Sequence, residues 1–457
     1  MTVIPAPVPP HPVEPGLGAA LAVSARAVDG CRTTGADLTA WLSDRRRAQS
    51  QRVTRLPFAA LEGWEFAPGS GDLRHVSGGF FTIRGLRVRS DFGPVAAWEQ
   101  PIIDQPEVGL LGIALRDFDG VPHLLMQAKS EPGNVNGVQL SPTVQATKSN
   151  YTRVHGGSAV PYLDCFRDAG PGSVVADVLQ SEQGSWFLHK RNRNMIVRVG
   201  PEVEAADDFV WLTLGQVHSL LRLDDQVNMD ARTVLSCLPS WDADQAGAGL
   251  HSDTDLRSWL TGRRAEHEMA VTPVGLAHIE EWRLGERALV HERGQHFRVV
   301  AVDVAAGRRE VPAWSQPLVE PVGEGVVAVF LRRVAGVPHV LLRARAEAGL
   351  LARVELGPTV QCTPGNYTHL PTGTRPPYLA EVWDRCGDAL YDVVLSEEGG
   401  RLLNARSRYL VIEVEDELPV VSDEFHWVSV PQVRELLRYS HHLTVQARTL
   451  VAALGTL

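Results

Sequence analysis

"SPTVQATKSNYTRVHGG", residues 141–157, returns 216 positions later as "GPTVQCTPGNYTHLPTG", residues 357–373. Pro142/Pro358, Thr143/Thr359, Val144/Val360, Gln145/Gln361, Asn150/Asn366, Tyr151/Tyr367 and Thr152/Thr368 coincide. Working outward, the same offset holds within a residue or two. "LTAWLSDRRR" (38–47) answers "LRSWLTGRRA" (256–265), and "GVPHLLMQAKSEPG" (120–133) answers "GVPHVLLRARAEAG" (336–349). "DVLQSEQG" (177–184) answers "DVVLSEEG" (392–399), and "NMDARTVLSCL" (228–238) answers "TVQARTLVAAL" (444–454). A period this long excludes a short-repeat solenoid and reads as one domain written twice. The expected division is a Pro-rich disordered tail over 1–30, a first repeat over 31–238, a linker over 239–255 and a second repeat over 256–457.

Within each unit the patterning is mixed α/β. "GLLGIALRDFDGVPHLLMQA" reads as a β-hairpin around Asp119-Gly120. Asp37 can cap a helix carrying Leu38, Trp41 and Leu42. "LTLGQVHSLL" has helical spacing, and a second short helix is expected over 231–238.

The chain has 457 residues and a net charge of −10. That balance argues against a general nucleic-acid binder, and no apolar run reaches the roughly 20 residues that span a bilayer. The N-terminus lacks the pattern of a secretory signal. The five scattered cysteines form no CxxC pair, so a reducing, cytoplasmic setting is the simplest expectation. Walker, dinucleotide, HExxH and GxSxG motifs do not occur in the sequence. No cofactor and no metal site are therefore expected.

Lysine is scarce. Of 44 basic side chains only Lys129, Lys148 and Lys190 are lysines, and all lie in the first repeat. A compact ammonium with a tunable pKa does what a guanidinium cannot. Gln127, Lys129 and Glu131 alternate and so share one strand face. Gln145, Thr147, Lys148, Asn150, Tyr151, Arg153 and His155 supply donors, acceptors and proton-transfer groups. Farther on, Glu182 precedes Trp186, Lys190, Arg191 and Arg193. Aromatics beside cations suit a nucleotide, although core packing is an ordinary fate for Trp186 and a solvated face for the arginines. In the second repeat Lys148 becomes Pro364, His155 becomes Pro371 and Lys129 becomes Arg345. Chemistry is therefore expected in the first repeat. The second reads as a scaffold or vestigial site, with Gln361, Asn366, Tyr367 and Glu397 as its possible nucleotide-binding residues.

"QPEVGLLGIALRDFDGVPHLLMQAKSEPGN", "QLSPTVQATKSNYTRVHGG", "VLQSEQGSWFLHKRNRNM" and "VNMDARTVLSCL" together resemble the sugar-nucleotide 2,3-dehydratases of deoxysugar pathways in antibiotic biosynthesis. The resemblance covers nearly the whole chain beyond the first 30 or so residues. It implies tandem Nudix-like α/β domains without the Nudix metal box, associated as a homodimer. The implied substrate is dTDP-4-keto-6-deoxyglucose, which loses water across C2–C3 without a redox cofactor. Coupling to a 3-ketoreductase would follow from a labile product.

On this reading His155 or Glu182 is the base at C3, Lys148 holds the enolate oxygen and Tyr151 serves the departing 2-hydroxyl. Arg191 and Arg193 would meet the diphosphate and Trp186 the thymine. Asn228, in the last motif, joins the substrate-binding set. A Nudix-type sugar-nucleotide hydrolase and a non-catalytic sugar-nucleotide binder are the competing readings.

Overall fold

The computed structural model describes residues 15–147, 160–239, 249–307, 313–415 and 418–457. Among these residues the strands form two seven-stranded and two five-stranded sheets, one of each size centred on each repeat.

The seven-stranded sheet of the first repeat grows from the expected hairpin. Strands Gly109–Phe118 and Val121–Ser130 meet at Asp119 (φ 52°) and Gly120 (φ 80°), the two positive-φ positions that a tight hairpin turn demands. The ladder runs only from Phe118↔Val121 to Ala114↔Leu125. Beyond that the strands part. Val144–Ala146 then pairs with the first strand, and Val138–Ser141 with the second. Thr143 sits at the fork. Its hydroxyl donates to Leu125 O and accepts from the Ala114 N–H at 2.9 Å. Thr359 repeats this between Leu341 O and the Phe330 N–H. The Thr of the duplicated "PTVQ" is thus a structural bridge that satisfies backbone groups where the ladder opens.

Arg191–Arg198 joins Gly109–Phe118 in parallel, and Val174–Ser181 completes that side. The second repeat has the same order, built on Gly325–Val334 and Val337–Ala346 with one parallel partner, Arg406–Glu413. Apolar helices cover these sheets, their ends fixed by side-chain caps. Thr213 and Gln216 form a capping box on Leu214–Leu221, and Asn228 caps Met229–Leu235.

The two repeats exchange strands. Gln51–Leu56, from the first, pairs with Phe297–Ala306 of the second. Met269–Val274, from the second, pairs with Thr82–Ser90 of the first. Each five-stranded sheet therefore has an edge covered by the other repeat. Two fully buried arginines add to the seam. Arg232 donates to Val227 O and Ser396 O, both at 2.6 Å. Its counterpart Arg448 donates to Leu443 O (2.6 Å) and Ser181 O (2.5 Å). Each guanidinium ties its own helix to the strand end of the opposite repeat.

Four expectations need correction. The stretch 1–30 is not tail throughout: Leu17–Arg26 is a helix that buries Leu17 and Leu21, and Ser24 Oγ accepts from the Leu214 N–H at 2.8 Å. Thr34, not Asp37, caps the helix Gly35–Ala48. Asp37 is the third residue of that helix and closes a capping box back onto Thr34. The helix expected over 231–238 starts earlier, at Met229. In addition, the helix Asp253–Glu266 begins inside the stretch read as linker.

Candidate active site

Where the first repeat's sheet, its helix Met229–Leu235 and a turn of the second repeat converge, a cluster of ionisable side chains is buried. Glu182 leaves strand Val174–Ser181, and its N–H donates to Lys190 O at 3.0 Å. That backbone bond closes the 182–190 loop and brings both side chains to one place. Asn192 Nδ2 donates to Glu182 Oε1. Glu182 Oε2 is buried and finds no hydrogen-bond donor among the described residues. Burial first, and the carboxyl of Glu398 second, push the Glu182 pKa from 4.5 up to about 7, against the pull of Lys190, Arg448 and Asn192. Lys190 is buried and donates to Glu107 O. Burial lowers its pKa, with Arg401 adding to the effect.

Asp230, in the first turn of Met229–Leu235, is also buried, and its Oδ1 has no partner among the described residues. Burial, then the charges of Glu182, Glu131 and Glu398, hold it well above the usual carboxylate range. Glu131 accepts from Gln145 Nε2 at 2.7 Å and lies 4.0 Å from Lys129 Nζ. Lys129 reaches Gln145 O at 3.4 Å. Asn228 Nδ2 donates to Ser141 Oγ (2.8 Å) and Gln145 Oε1 (3.2 Å) while its Oδ1 caps the helix. The structure thus gathers Lys129, Gln145, Asn228, Glu182 and Lys190 from the sequence expectation.

Gln127 is half-buried on the same strand as Lys129, and Thr147 is half-buried just past Val144–Ala146. Trp186 packs against a core that includes Ile103, Phe187 and Phe297. Arg193 makes a two-pronged ion pair with Asp177 at 2.7 and 2.6 Å, on the strand face opposite Asn192 and Asn194. Arg191 shares the Arg193 face by alternation. Lys148, Asn150, Tyr151, Arg153 and His155 lie outside the described residues. A cleft of about 510 Å³ opens between the turn 132–138, the strand Gln51–Leu56 and Asn404; none of the candidate residues lines it.

Sequence reasoning did not place Asp230, Glu398 and Arg401 in the site, and it placed Glu131 only on a strand face. Charge differences between equivalent positions could have flagged two of them: Asp230 is matched by Gln446 in the second repeat, and Glu398 by Gln183 in the first.

The matching region of the second repeat is differently arranged. Glu397 accepts from Ser407 Oγ (2.8 Å), Tyr409 OH (3.0 Å) and Gln183 Nε2 (3.1 Å). Arg345 replaces Lys129 and donates to Glu347 at 2.7 Å, and Gln361 donates to the same carboxylate at 3.0 Å. Asn366 accepts from the His296 N–H at 3.0 Å. Tyr367 ends the short turn Pro364–Tyr367, its phenol pushed up by burial.

Comparison with known proteins gives this geometry a setting. The family model described as NDP-hexose 2,3-dehydratase matches residues 35–238 and again 253–454. A dTDP-4-dehydro-6-deoxy-alpha-D-glucopyranose 2,3-dehydratase of Amycolatopsis orientalis is 48% identical, over 95% of this chain and 93% of its own length. Proteins of the same name from Streptomyces violaceoruber (48% identical; 93% of this chain, 98% of that one) and Saccharopolyspora spinosa (45%; 91% and 90%) are similar over nearly as much of the chain. With both repeats matched and relatives aligned along more than nine-tenths of its length, the chain belongs to the NDP-hexose 2,3-dehydratase family.

Proposed function

We propose that this protein eliminates water across C2–C3 of dTDP-4-keto-6-deoxy-D-glucose, with Glu182 as the base that removes the C3 proton. The substrate's C4 ketone makes that hydrogen acidic. Its removal leaves an enolate whose oxygen needs donors, and the 2-hydroxyl departs as water once it receives a proton. The enol formed between C2 and C3 tautomerises to a 3,4-diketo-2,6-dideoxy sugar nucleotide, so one substrate gives one product and one water.

The observation that carries the assignment is the buried Glu182 carboxyl, with a pKa near 7 and one oxygen unclaimed. A base poised near the working pH transfers protons most effectively. Asp230 complements it. Held neutral by its surroundings, it is an acid able to protonate the leaving hydroxyl, so two carboxyls whose environments push their pKa values apart take opposite parts. Lys129 and Lys190 supply positive charge to the same space. Lys148, Tyr151 and His155 keep the roles expected of their side-chain chemistry: enolate donor, leaving-group donor and alternative base.

The finer readings rest on the family resemblance. They are a Nudix-like ancestry for each mixed sheet, a homodimer, a part in antibiotic-sugar formation, and hand-over of a labile product to a 3-ketoreductase; the cytoplasmic setting rests instead on the scattered cysteines. The second repeat's Gln361, Asn366, Tyr367 and Glu397 stand as a possible nucleotide site.

The test supplies dTDP-4-keto-6-deoxyglucose with a 3-ketoreductase to trap the product, with and without EDTA. Loss of water from the sugar nucleotide in both arms is expected. Intact substrate refutes the proposal, and release of dTMP with added magnesium favours the hydrolase.

A further inference from the structure

We propose that the second repeat takes part in the first repeat's chemistry: Glu398, on its turn 398–402, is a positioning residue that sets the proton affinity of Glu182 across the seam. This rests on the reading of Glu182 as the base.

The seam is an interlock of two turns. The Gly133 N–H donates to Gly399 O at 2.7 Å, and the Asn404 N–H to Gly133 O at 2.8 Å. A Cβ on Gly133 would fall 1.7 Å from Leu402 O, so only glycine lets the turns meet. The pseudo-equivalent contact is made in reverse. The Gly349 N–H donates to Gly184 O at 2.8 Å and the His189 N–H to Gly349 O at 2.7 Å. The two repeats thus reach into each other's site by the same device.

What they deliver differs by one functional group. Gln183 and Glu398 occupy equivalent positions, each directly after the equivalent glutamates Glu182 and Glu397. Gln183 crosses the seam as a neutral donor to Glu397. A carboxylate cannot make the reciprocal bond to Glu182. Glu398 instead accepts from the N–H groups of Gly400 (2.9 Å) and Arg401 (2.7 Å) on its own turn. Glu182 therefore lacks the cross-seam amide donor its counterpart has and gains an acidic neighbour.

The pair sits among other titratable groups, and burial first, then Glu131, raises the Glu398 pKa as well. Glu182 is faced by Lys190 from its own loop, Asp230 from Met229–Leu235 and Arg448 from Val445–Leu454. Glu398 is faced by Glu131 and Arg401, and also acts on Lys190 and Asp230. Glu107 acts on Lys190 and Arg401. With Glu398 neutral, Lys190 and Arg448 remain to favour the ionised form of Glu182.

The experiment measures kcat/KM against pH for the full-length wild type and for the variants E398Q, E398A, E398D, Q183E and E182Q, on dTDP-4-keto-6-deoxyglucose. The ascending limb of folded E398Q or E398A should move down by about one pH unit, the effect of removing a like charge near a titrating carboxyl. E398D should keep the wild-type limb, and so should Q183E, which acts on the other repeat. A limb unmoved in E398Q and E398A overturns the inference, as does failure of both to fold, because Glu398 would then be structural. The two readings fail separately. If E182Q turns over like wild type, the base assignment falls. If E182Q is inactive while the E398Q limb stays put, only the role of Glu398 falls.

Discussion

Glu182 and Glu397 occupy equivalent places in the two repeats, yet one carboxylate is fully engaged and the other is not. Glu397 receives three side-chain donors, from Ser407, Tyr409 and Gln183. Glu182 receives one, from Asn192, and keeps a buried oxygen without a partner. The surroundings differ in step. Asn194 stands where Tyr409 is, Asp230 where Gln446 is, and Lys129 where Arg345 is. A buried acceptor without a donor costs about 1–3 kcal/mol. Glu182 carries that cost beside several other acids, and its counterpart Glu397 does not. After duplication the two copies have come to hold equivalent carboxylates in different surroundings, one satisfied and one not.

The sharpest way to break this comparison is to neutralise each carboxylate in turn. Glu182→Gln should lower kcat/KM by about 10²–10⁴, the usual worth of a general base. Glu397→Gln should change kcat/KM by no more than about threefold while costing about 1–3 kcal/mol of stability, because it turns one acceptor oxygen into an amide facing existing donors. Steady-state kinetics beside urea unfolding reads both. Equal losses of activity in the two variants would end the assignment of chemistry to the first repeat.

Next in size is the arginine pair at the seam. Arg232→Ala and Arg448→Ala each strip donors from two buried carbonyls in different repeats. Each should cost about 3 kcal/mol or more, since hydrogen bonds from charged donors are worth roughly 1.5–3 kcal/mol apiece. Because strands are exchanged between repeats, unfolding should remain one transition. Two separate transitions in calorimetry of either variant would show that the buried arginines, and not the exchanged strands, couple the repeats.

Stability against pH sharpens the comparison further. The folded-state pKa of Glu182 is raised from 4.5 to about 7. Between those values the folded chain holds a proton that the unfolded chain releases, so stability falls as pH rises from about 4.5 to about 7 and levels off above. A shift of this size is worth about 3 kcal/mol. Glu355, also raised to about 7, titrates in the same window, so the Glu182 share is the wild-type loss minus that of Glu182→Gln. Urea unfolding at pH 5 and pH 8 supplies both. Identical losses would mean that the Glu182 carboxyl carries no such shift.

How far the sequence foretold this can be judged residue by residue. The hairpin at Asp119-Gly120 and the doubled architecture were legible because turn chemistry and a constant offset are local or periodic signals. Lys129, Gln145, Asn228, Glu182 and Lys190 were legible because polar residues stood in both copies or differed between them. Glu398 and Arg401 were not, since they come from the repeat expected to be inert and arrive through an interlock of glycines that no spacing encodes. The exchange of Gln51–Leu56 and Met269–Val274 was hidden for the same reason: a strand's pattern shows that it pairs, not with which repeat. Arg193 illustrates the opposite error of proximity in sequence. It sits one residue from Asn192 but on the other face, paired with Asp177, as Arg408 is with Asp392.

The smallest expected effect lies in the two hairpin turns, which have the same backbone and different residues. Asp119 adopts φ 52° and Ala335 φ 47°, each followed by a glycine at φ 80° or more. Asp tolerates the left-handed region because its short polar side chain bonds locally. Alanine has no such compensation, and the left-handed region costs an ordinary residue about 1–2 kcal/mol. Ala335→Asn should therefore stabilise the protein by about 0.5–1 kcal/mol, and Asp119→Ala should destabilise it by a similar amount. Neither residue touches the acidic cluster, so kcat/KM should be unchanged in both. A stability gain of Ala335→Asn with wild-type activity would show that the second repeat carries local strain unrelated to the chemistry. A fall in activity would instead place this turn, at the far end of the central hairpin, in contact with the site through the sheet.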